Sequence, residues 1–211
     1  FFLKQQGYYL LIISPSILIN ETQKKLPILK FKLPIEAWSS TQLHLSGNTD
    51  SILRKFKSKW RNTLRKGERI VRVKKINDYN EFISTIDDYI AYAKEQSFKP
   101  IDFSQLRMWW LNKSNSEEKD PHLTIYNAYL DEDYTNPIGS IGILQFLKTS
   151  LYLFSYSTSI GRLNHANSVL LWHSIKKALS INNNTFDLGG LSSSTPNGIR
   201  KFKQGLNGEP Y

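Results

Sequence analysis

The 211-residue sequence contains no cysteine. Disulfides, thiolate nucleophiles and cysteine-ligated metals are excluded together, and the composition suits a reducing compartment. Long apolar runs are missing too: the longest, Tyr8 to Ile13, falls far short of the roughly 20 residues that span a bilayer. Phe1 to Gly7 lacks the charged lead and small-residue cleavage site of a signal peptide. Beginning at Phe1, the chain reads as a piece of a longer one. His44, His122, His165 and His173 never reach HxH or HExxH spacing, so no metal site is expected. No GxSxG elbow, GxxxxGK[ST] loop or GxGxxG run is present, which removes the sequence signals of serine hydrolases, nucleotide hydrolases and dinucleotide enzymes. Ser192 to Ser194 read as polar loop.

What the chain does have is a core and a concentration of positive charge. Hydrophobic residues make up 40% and aromatics 13%, enough for one large domain or two small ones. The net charge is +10, and the segment from Arg54 to Lys75 holds eleven basic residues against one acid, Glu68, so the rest of the chain is balanced. Such a patch concentrates polyanions. A solvated helix face would look the same, and charge alone leaves both readings open. Leu53, Phe56, Trp60 and Leu64 fall at helical spacing, which predicts an amphipathic helix with a cationic outer face. Arg54, Lys59, Arg61, Arg65 and Lys66 are its candidate nucleic-acid contacts.

Along the chain, Tyr8 to Ser14, Ile28 to Leu33 and Thr41 to Leu45 read as short strands. Asn48 to Asp50 signals the start of the basic helix and Gly67 its end. Ile70 to Lys74 alternates as a strand. Asn77 or Asp78 caps a helix running to about Gln96 with Phe82, Ile86, Tyr89, Ile90 and Ala93 as its core stripe. A shorter helix covers Ser104 to Asn112, and Lys113 to Asp120 is loop. His122 to Tyr129, Pro137 to Leu147 and Ser150 to Ser157 form an antiparallel meander. Asn164 to Leu179 is an apolar helix, Thr185 to Leu188 a buried strand, Pro196 to Gln204 a last helix and Glu209 to Tyr211 a final strand. This order is an α+β plan with a mixed, mostly antiparallel sheet flanked by helices. It matches the layout of GNAT acyltransferases.

The run FDLGGLSSSTPNGIRKFKQGLNGEPY, Phe186 to Tyr211, is dense in glycine. Glycine permits close backbone approach and positive φ where a strand gives way to a loop, which fits a ligand-facing edge and also fits tight turns. Phe202 sits between Arg200, Lys201 and Lys203 and must face inward, so one cation of that helix has to leave bulk solvent. At these residues the sequence resembles the FemABX family of peptidoglycan bridge-forming aminoacyltransferases, which carry tandem GNAT-like subdomains. The resemblance rests on IEAWSSTQLHL (Ile35 to Leu45), KWRNTLRKGE (Lys59 to Glu68), NSVLLWHSIKKAL (Asn167 to Leu179) with FDLGG, and GIRKFKQGLNGEPY. It spans roughly Leu33 to Tyr211.

The resemblance implies a partial first GNAT-like subdomain over residues 1–66, ending in the basic helix, and a second acyltransferase subdomain over 67–211. It implies transfer of an aminoacyl group from aminoacyl-tRNA to an amine of a peptidoglycan precursor bearing a diphosphate, in the cytoplasm, with peripheral contact at the inner membrane face. The family's Phe-Lys pair falls on Phe202 and Lys203, the expected catalytic residues: a lysine ammonium stabilises the oxyanion of ester aminolysis more than it stabilises the ground state. The family's diphosphate-binding arginine falls on Arg107, where a structural ion pair is the plainer alternative. Trp38, Tyr156, Arg162, His165, Asp187 and Arg200 complete the expected substrate-binding set. No cofactor is expected. Acetyl-CoA-dependent GNAT enzymes place a double-glycine loop after the meander; here SIGRLNHANS, Ser159 to Ser168, offers Gly161 alone. An acyl-CoA-dependent transferase acting on a sugar or polysaccharide precursor is the first alternative, and a non-catalytic RNA-binding module the second.

Overall fold

The computed structural model of the protein describes residues 39–112, 120–130, 134–191 and 195–210. The strands expected before Thr41, most of the loop after Asn112 and Ser192 to Ser194 lie outside them.

Alternating β-branched and aromatic residues build a meander of β3 (His122–Tyr129), β4 (Gly139–Phe146) and β5 (Thr149–Ser157), in which the pairings are antiparallel. Side chains of successive strand residues leave by opposite faces. On β3, Leu123 and Ile125 enter one apolar cluster while Tyr126 and Ala128 enter another, so both faces of the sheet are covered. On one face lie α3 (Tyr79–Glu95) and α4 (Phe103–Leu111), with Phe82, Ile86 and Trp110 buried. Asp78 caps α3 through the amides of Asn80 and Glu81. Ile90, expected in its core stripe, is 36% exposed. The other face is covered by α6 (Ala166–Ser180), whose Leu170, Leu171, Trp172 and Ile175 are buried. Each such side chain contributes about 1.5–3 kcal/mol relative to exposure.

Among the described residues seven strands pair in one sheet, completed by β1 (Thr41–His44), β2 (Arg72–Lys75), β6 (Thr185–Asp187) and β7 (Glu209–Pro210), in the order β2-β3-β4-β5-β6-β1-β7. The β5–β6 pair is parallel, the others antiparallel. This is the mixed, mostly antiparallel sheet that the sequence predicts. β1 is an interior strand, and Leu43, Phe56, Trp60 and Leu64 share one apolar cluster with Leu170, Phe186 and Leu206. The described residues up to Lys66 therefore share sheet and core with those after Gly67. Gly67 itself lies inside a helix, where an added Cβ would stand 2.6 Å from Val169 Cγ2. The helix ends one residue later, at Glu68, close to where the sequence places its end, and the smallness of Gly67 also serves close helix packing.

Two expected helices are interrupted. The basic segment forms α1 (Thr49–Lys55), capped by Asn48, and α2 (Ser58–Glu68), with Phe56 and Lys57 extended between them. Phe56 turns into the core edge-on to Trp60 and Trp172, and the Lys57 amide donates to the Gly205 carbonyl. The Arg61 guanidinium donates to the Arg54 and Phe56 carbonyls left open by the break. The apolar helix after the meander is preceded by a short α5 (Ser159–Leu163), and the two meet at His165, whose φ is +62°.

Candidate functional site

The β5–β6 ladder is short. It pairs Thr149 with Thr185, Ser150 with Phe186 and Leu151 with Asp187, after which β5 runs on to Ser157 while β6 ends. The strands part at Tyr152, and a β-bulge falls there: Ile143 pairs with Tyr152 and Gly142 with Phe154, leaving Leu153 as the extra residue. A bulge re-aims side chains. Tyr152 accordingly packs on the α6 face while Phe154 packs on the α3 face. Gly142 makes this possible, because a Cβ there would stand 2.2 Å from the Phe154 ring.

Into this gap the last helix, α7 (Asn197–Gln204), sends Lys203, which is only 8% exposed. Its Nζ donates to the Gly190 carbonyl at 3.0 Å and stands 5.3 Å from the centroid of the Tyr152 ring. Gly189, at φ +72°, carries the chain past β5: an added Cβ would lie 2.8 Å from the Tyr152 carbonyl oxygen and 3.5 Å from Lys203 Nζ. Asp187 Oδ1 fixes this turn, accepting from the Gly189 amide at 2.8 Å and from Ser40 Oγ. Burial drives the Lys203 ammonium down from its ordinary value to about 8, against the opposing charge of Asp187. The Tyr152 hydroxyl, bonded to Ser155 Oγ, is pushed up by burial to about 12.

Tyr156 and Arg162 meet at a cavity of about 590 Å³ that Asp88, Tyr92, Glu95 and Thr158 also line; Lys203 is not among its lining residues. The Tyr156 hydroxyl donates to Asp88 Oδ2 at 3.0 Å, and burial, then the Asp88 charge, holds it well above the ordinary tyrosine range. Arg162 Nη1 donates to the Ser157 carbonyl at 2.6 Å. The Tyr92 ring lies 6.3 Å from that of Tyr156.

The remaining sequence candidates scatter. Phe202 packs 6.0 Å from the Trp60 ring, and Arg200 is half-buried on α7 with partners of its own. Arg107 is exposed on α4, its Nε donating to the Tyr79 hydroxyl at 3.0 Å, and among the described residues it joins no ion pair. His165 is half-buried at the α5–α6 corner, against Gly67. Trp38 lies outside the described residues. Arg54, Lys59, Arg65 and Lys66 are exposed, whereas Arg61 is spent on the α1–α2 break. Gly161 is buried, and an added Cβ would come within 2.0 Å of the Ile138 carbonyl oxygen; its amide donates to the Thr158 side chain at 3.1 Å. Packing and capping account for this glycine. Among the described residues no three His, Asp or Glu side chains form a metal-ligating group, and no helix is long and apolar enough to cross a membrane.

Sequence reasoning did not find Tyr152, the Gly190 carbonyl, Asp88 or Tyr92. Tyr152 was hidden by the bulge. Asp88 and Tyr92 occupy ordinary positions on an amphipathic helix, with no local signal that they face a cavity.

No protein-family model matches the sequence, and no curated protein matches it. Among solved structures the chain is similar to the crystal structure of FemX, with TM-score 0.66 and 13% identity over 82% of this chain and 58% of that one. It is also similar to a conserved protein of unknown function from Bacteroides thetaiotaomicron VPI-5482, with TM-score 0.50 and 10% identity over 82% and 56%. The C-terminal domain of a putative lysylphosphatidylglycerol synthetase from Agrobacterium fabrum aligns with TM-score 0.47 and 11% identity over 82% and 57%. The chain spans less than two thirds of each of these proteins. At such identities the likeness speaks to fold, and the fold is GNAT-like.

Proposed function

We propose that the chain is the acyl-transfer unit of a Fem-type aminoacyltransferase, moving an aminoacyl group from aminoacyl-tRNA to an amine of a peptidoglycan precursor. One observation carries the reading. A lysine of the last helix is buried where two parallel strands part, its ammonium held by the Gly190 carbonyl over an aromatic ring.

The chemistry that this geometry suits is ester aminolysis. The acceptor nitrogen bonds to the ester carbonyl carbon, and the carbonyl π electrons move to oxygen. As the tetrahedral intermediate collapses, the bond from carbon to the ribose oxygen breaks, and the proton lost by the amine ends on that oxygen. An ammonium has three N–H donors, and Lys203 gives one to Gly190. Among the described residues its other donors have no acceptor, and in this reading they meet the developing oxyanion in a buried site where a fixed charge is worth more than in water. With its pKa near 8, the group is roughly nine-tenths protonated at neutral pH. Phe202 anchors the helix against Trp60 and so sets where the lysine enters. The cavity at Tyr156 and Arg162, with Asp88 and Glu95 on its wall, suits a substrate amine in its cationic resting form.

The tRNA donor is supported by the exposed Arg54, Lys59, Arg65 and Lys66 on α1 and α2, since clustered exposed lysines and arginines neutralise phosphate charge. Contact with a membrane face and the identity of the transferred amino acid belong to the same reading. The test supplies the protein with a peptidoglycan precursor and either charged tRNA or acetyl-CoA. Consumption of charged tRNA with formation of an amide supports the reading; consumption of acetyl-CoA alone replaces it with the acyl-CoA alternative.

A further inference from the structure

On α3 the residues Asp88, Ala91, Tyr92 and Glu95 follow the i, i+3, i+4, i+7 spacing of one helix face, and all four line the cavity at the end of β5. Arg162 reaches the same cavity from α5. Two carboxylates and a guanidinium thus share one concave space of about 590 Å³, a size at which small-molecule sites are found. Opposite charges this close would ordinarily pair. Among the described residues, however, neither Asp88 nor Glu95 forms an ion pair with Arg162.

Wall contacts hold two of these charges in place. The Tyr156 hydroxyl, on a side chain only 4% exposed, donates to Asp88 Oδ2 at 3.0 Å. Arg162 Nη1 donates to the Ser157 carbonyl at 2.6 Å. Asp88 Oδ1, the Glu95 carboxylate and the rest of the guanidinium have no partner among the described residues. The Tyr156 oxygen keeps lone pairs that can accept, and its ring stands 6.3 Å from that of Tyr92, so two aromatic faces adjoin the acidic side.

The signs of these charges decide between ligands. A cation alone is drawn to the two carboxylates and the rings but repelled by Arg162. An anion alone suits the guanidinium fork but is repelled by both carboxylates. A ligand that carries both charges side by side is attracted at each end. The geometry points to a site for an amino-acid head group, an ammonium and a carboxylate on one carbon: the ammonium meets Asp88, Glu95 and the Tyr156 oxygen, and the carboxylate meets Arg162. Binding of the head group stands apart from the aminoacyl-transfer reading. One consequence does rest on that reading: the acceptor amine then bears a carboxylate beside it, and a plain alkyl-amine side chain is disfavoured. The head group has two sources, a free amino acid or the end of a longer side chain.

The test is titration calorimetry of the full chain at fixed ionic strength with norleucine, pentylamine and hexanoate, three molecules that differ in which charges the head carries. Norleucine should bind saturably and about tenfold or more tighter than either of the others, the scale of one charge-assisted contact. Arg162→Gln should weaken norleucine by about tenfold while pentylamine binds as before or tighter. Glu95→Gln, at an exposed position, should weaken norleucine and leave hexanoate as before or tighter. These opposite responses to the probes would not follow from a fold that had merely loosened. A fourth probe, 2,6-diaminopimelate, carries the same head on a longer side chain: affinity about tenfold above norleucine identifies a side-chain end as the source, and affinity at or below it identifies a free amino acid. The inference is overturned if neither amino acid binds, if pentylamine or hexanoate binds as tightly as norleucine, or if Arg162→Gln changes nothing. No amide is formed in these titrations, so failure here and failure of the transferase reading are separate results.

Discussion

The ammonium of Lys203 reaches across from the last helix to the carbonyl oxygen of Gly190, 3.0 Å away, just beyond the end of β6. Two pieces of chain separated by the turn after Asp187 are thereby pinned to each other by a charge that burial disfavours. A protein that keeps an ammonium in such a place bears its cost in the folded state and gains nothing in packing that a methionine could not supply.

Stability should therefore show the cost. The folded value for Lys203 is about 8 against an ordinary value of 10.5. Below about pH 8 both states are protonated and the fold carries the full penalty. Between the two values the folded state has released a proton that the unfolded state keeps, so stability rises with pH, and above the upper value it levels off. Denaturant unfolding of the wild type is expected to show this rise, and Lys203→Met to lack it. At pH 7 the variant should be more stable by about 1–3 kcal/mol, less whatever the lost bond to Gly190 contributed. Parallel pH curves for the two proteins would show that the lysine is not desolvated.

Arg61 and Arg65 belong to one basic helix yet do different things. Arg61 bonds the carbonyls exposed where α1 and α2 separate, while Arg65 is exposed. Arg61→Gln is expected to lower stability by about 1–3 kcal/mol, and Arg65→Gln to leave it within about 0.5 kcal/mol. Charge reversal at Arg65 should instead weaken RNA binding and flatten its salt dependence. Thermal melts and a salt titration of RNA affinity check both halves.

Gly161 stands in the turn where a CoA enzyme would bind pyrophosphate. In this fold it has no room for a methyl group beside the Ile138 carbonyl. Gly161→Ala should cost about 1–3 kcal/mol or more, the range for overpacking, in protein without any ligand. A variant as stable as the wild type would return the glycine to a ligand-binding role.

The elements that the sequence announces are those whose period is local. The alternation of His122 to Tyr129 and the 3.6-residue stripe of Phe82, Ile86 and Tyr89 each depend on which residues are apolar, and a helix or strand follows. That one cation near Phe202 has to leave solvent is legible for the same reason, since Phe202 must pack. The break at Phe56 is not, because Arg54 to Ser58 contains neither Pro nor Gly; it arises when Phe56 is drawn between Trp60 and Trp172. The sheet partner of Thr41 to His44 is also hidden, since pairing with Asp187 joins residues far apart in the chain. Tyr152 lies in a run of alternating residues, and only the bulge opposite Gly142 decides which face it takes. What the sequence withholds, then, is long-range.

The measurement that bears most directly on the lysine is single-turnover amide formation from aminoacyl-tRNA, followed from about pH 6 to about pH 10, for the wild type and Lys203→Ala. The wild-type rate should fall on the alkaline side with an apparent pKa near 8, as the ammonium is lost. The variant should be slower by about 10²-fold or more, the scale of one missing oxyanion donor, and should lack that fall. A variant that forms the amide at the wild-type rate, with the same pH profile, would contradict the role assigned to Lys203.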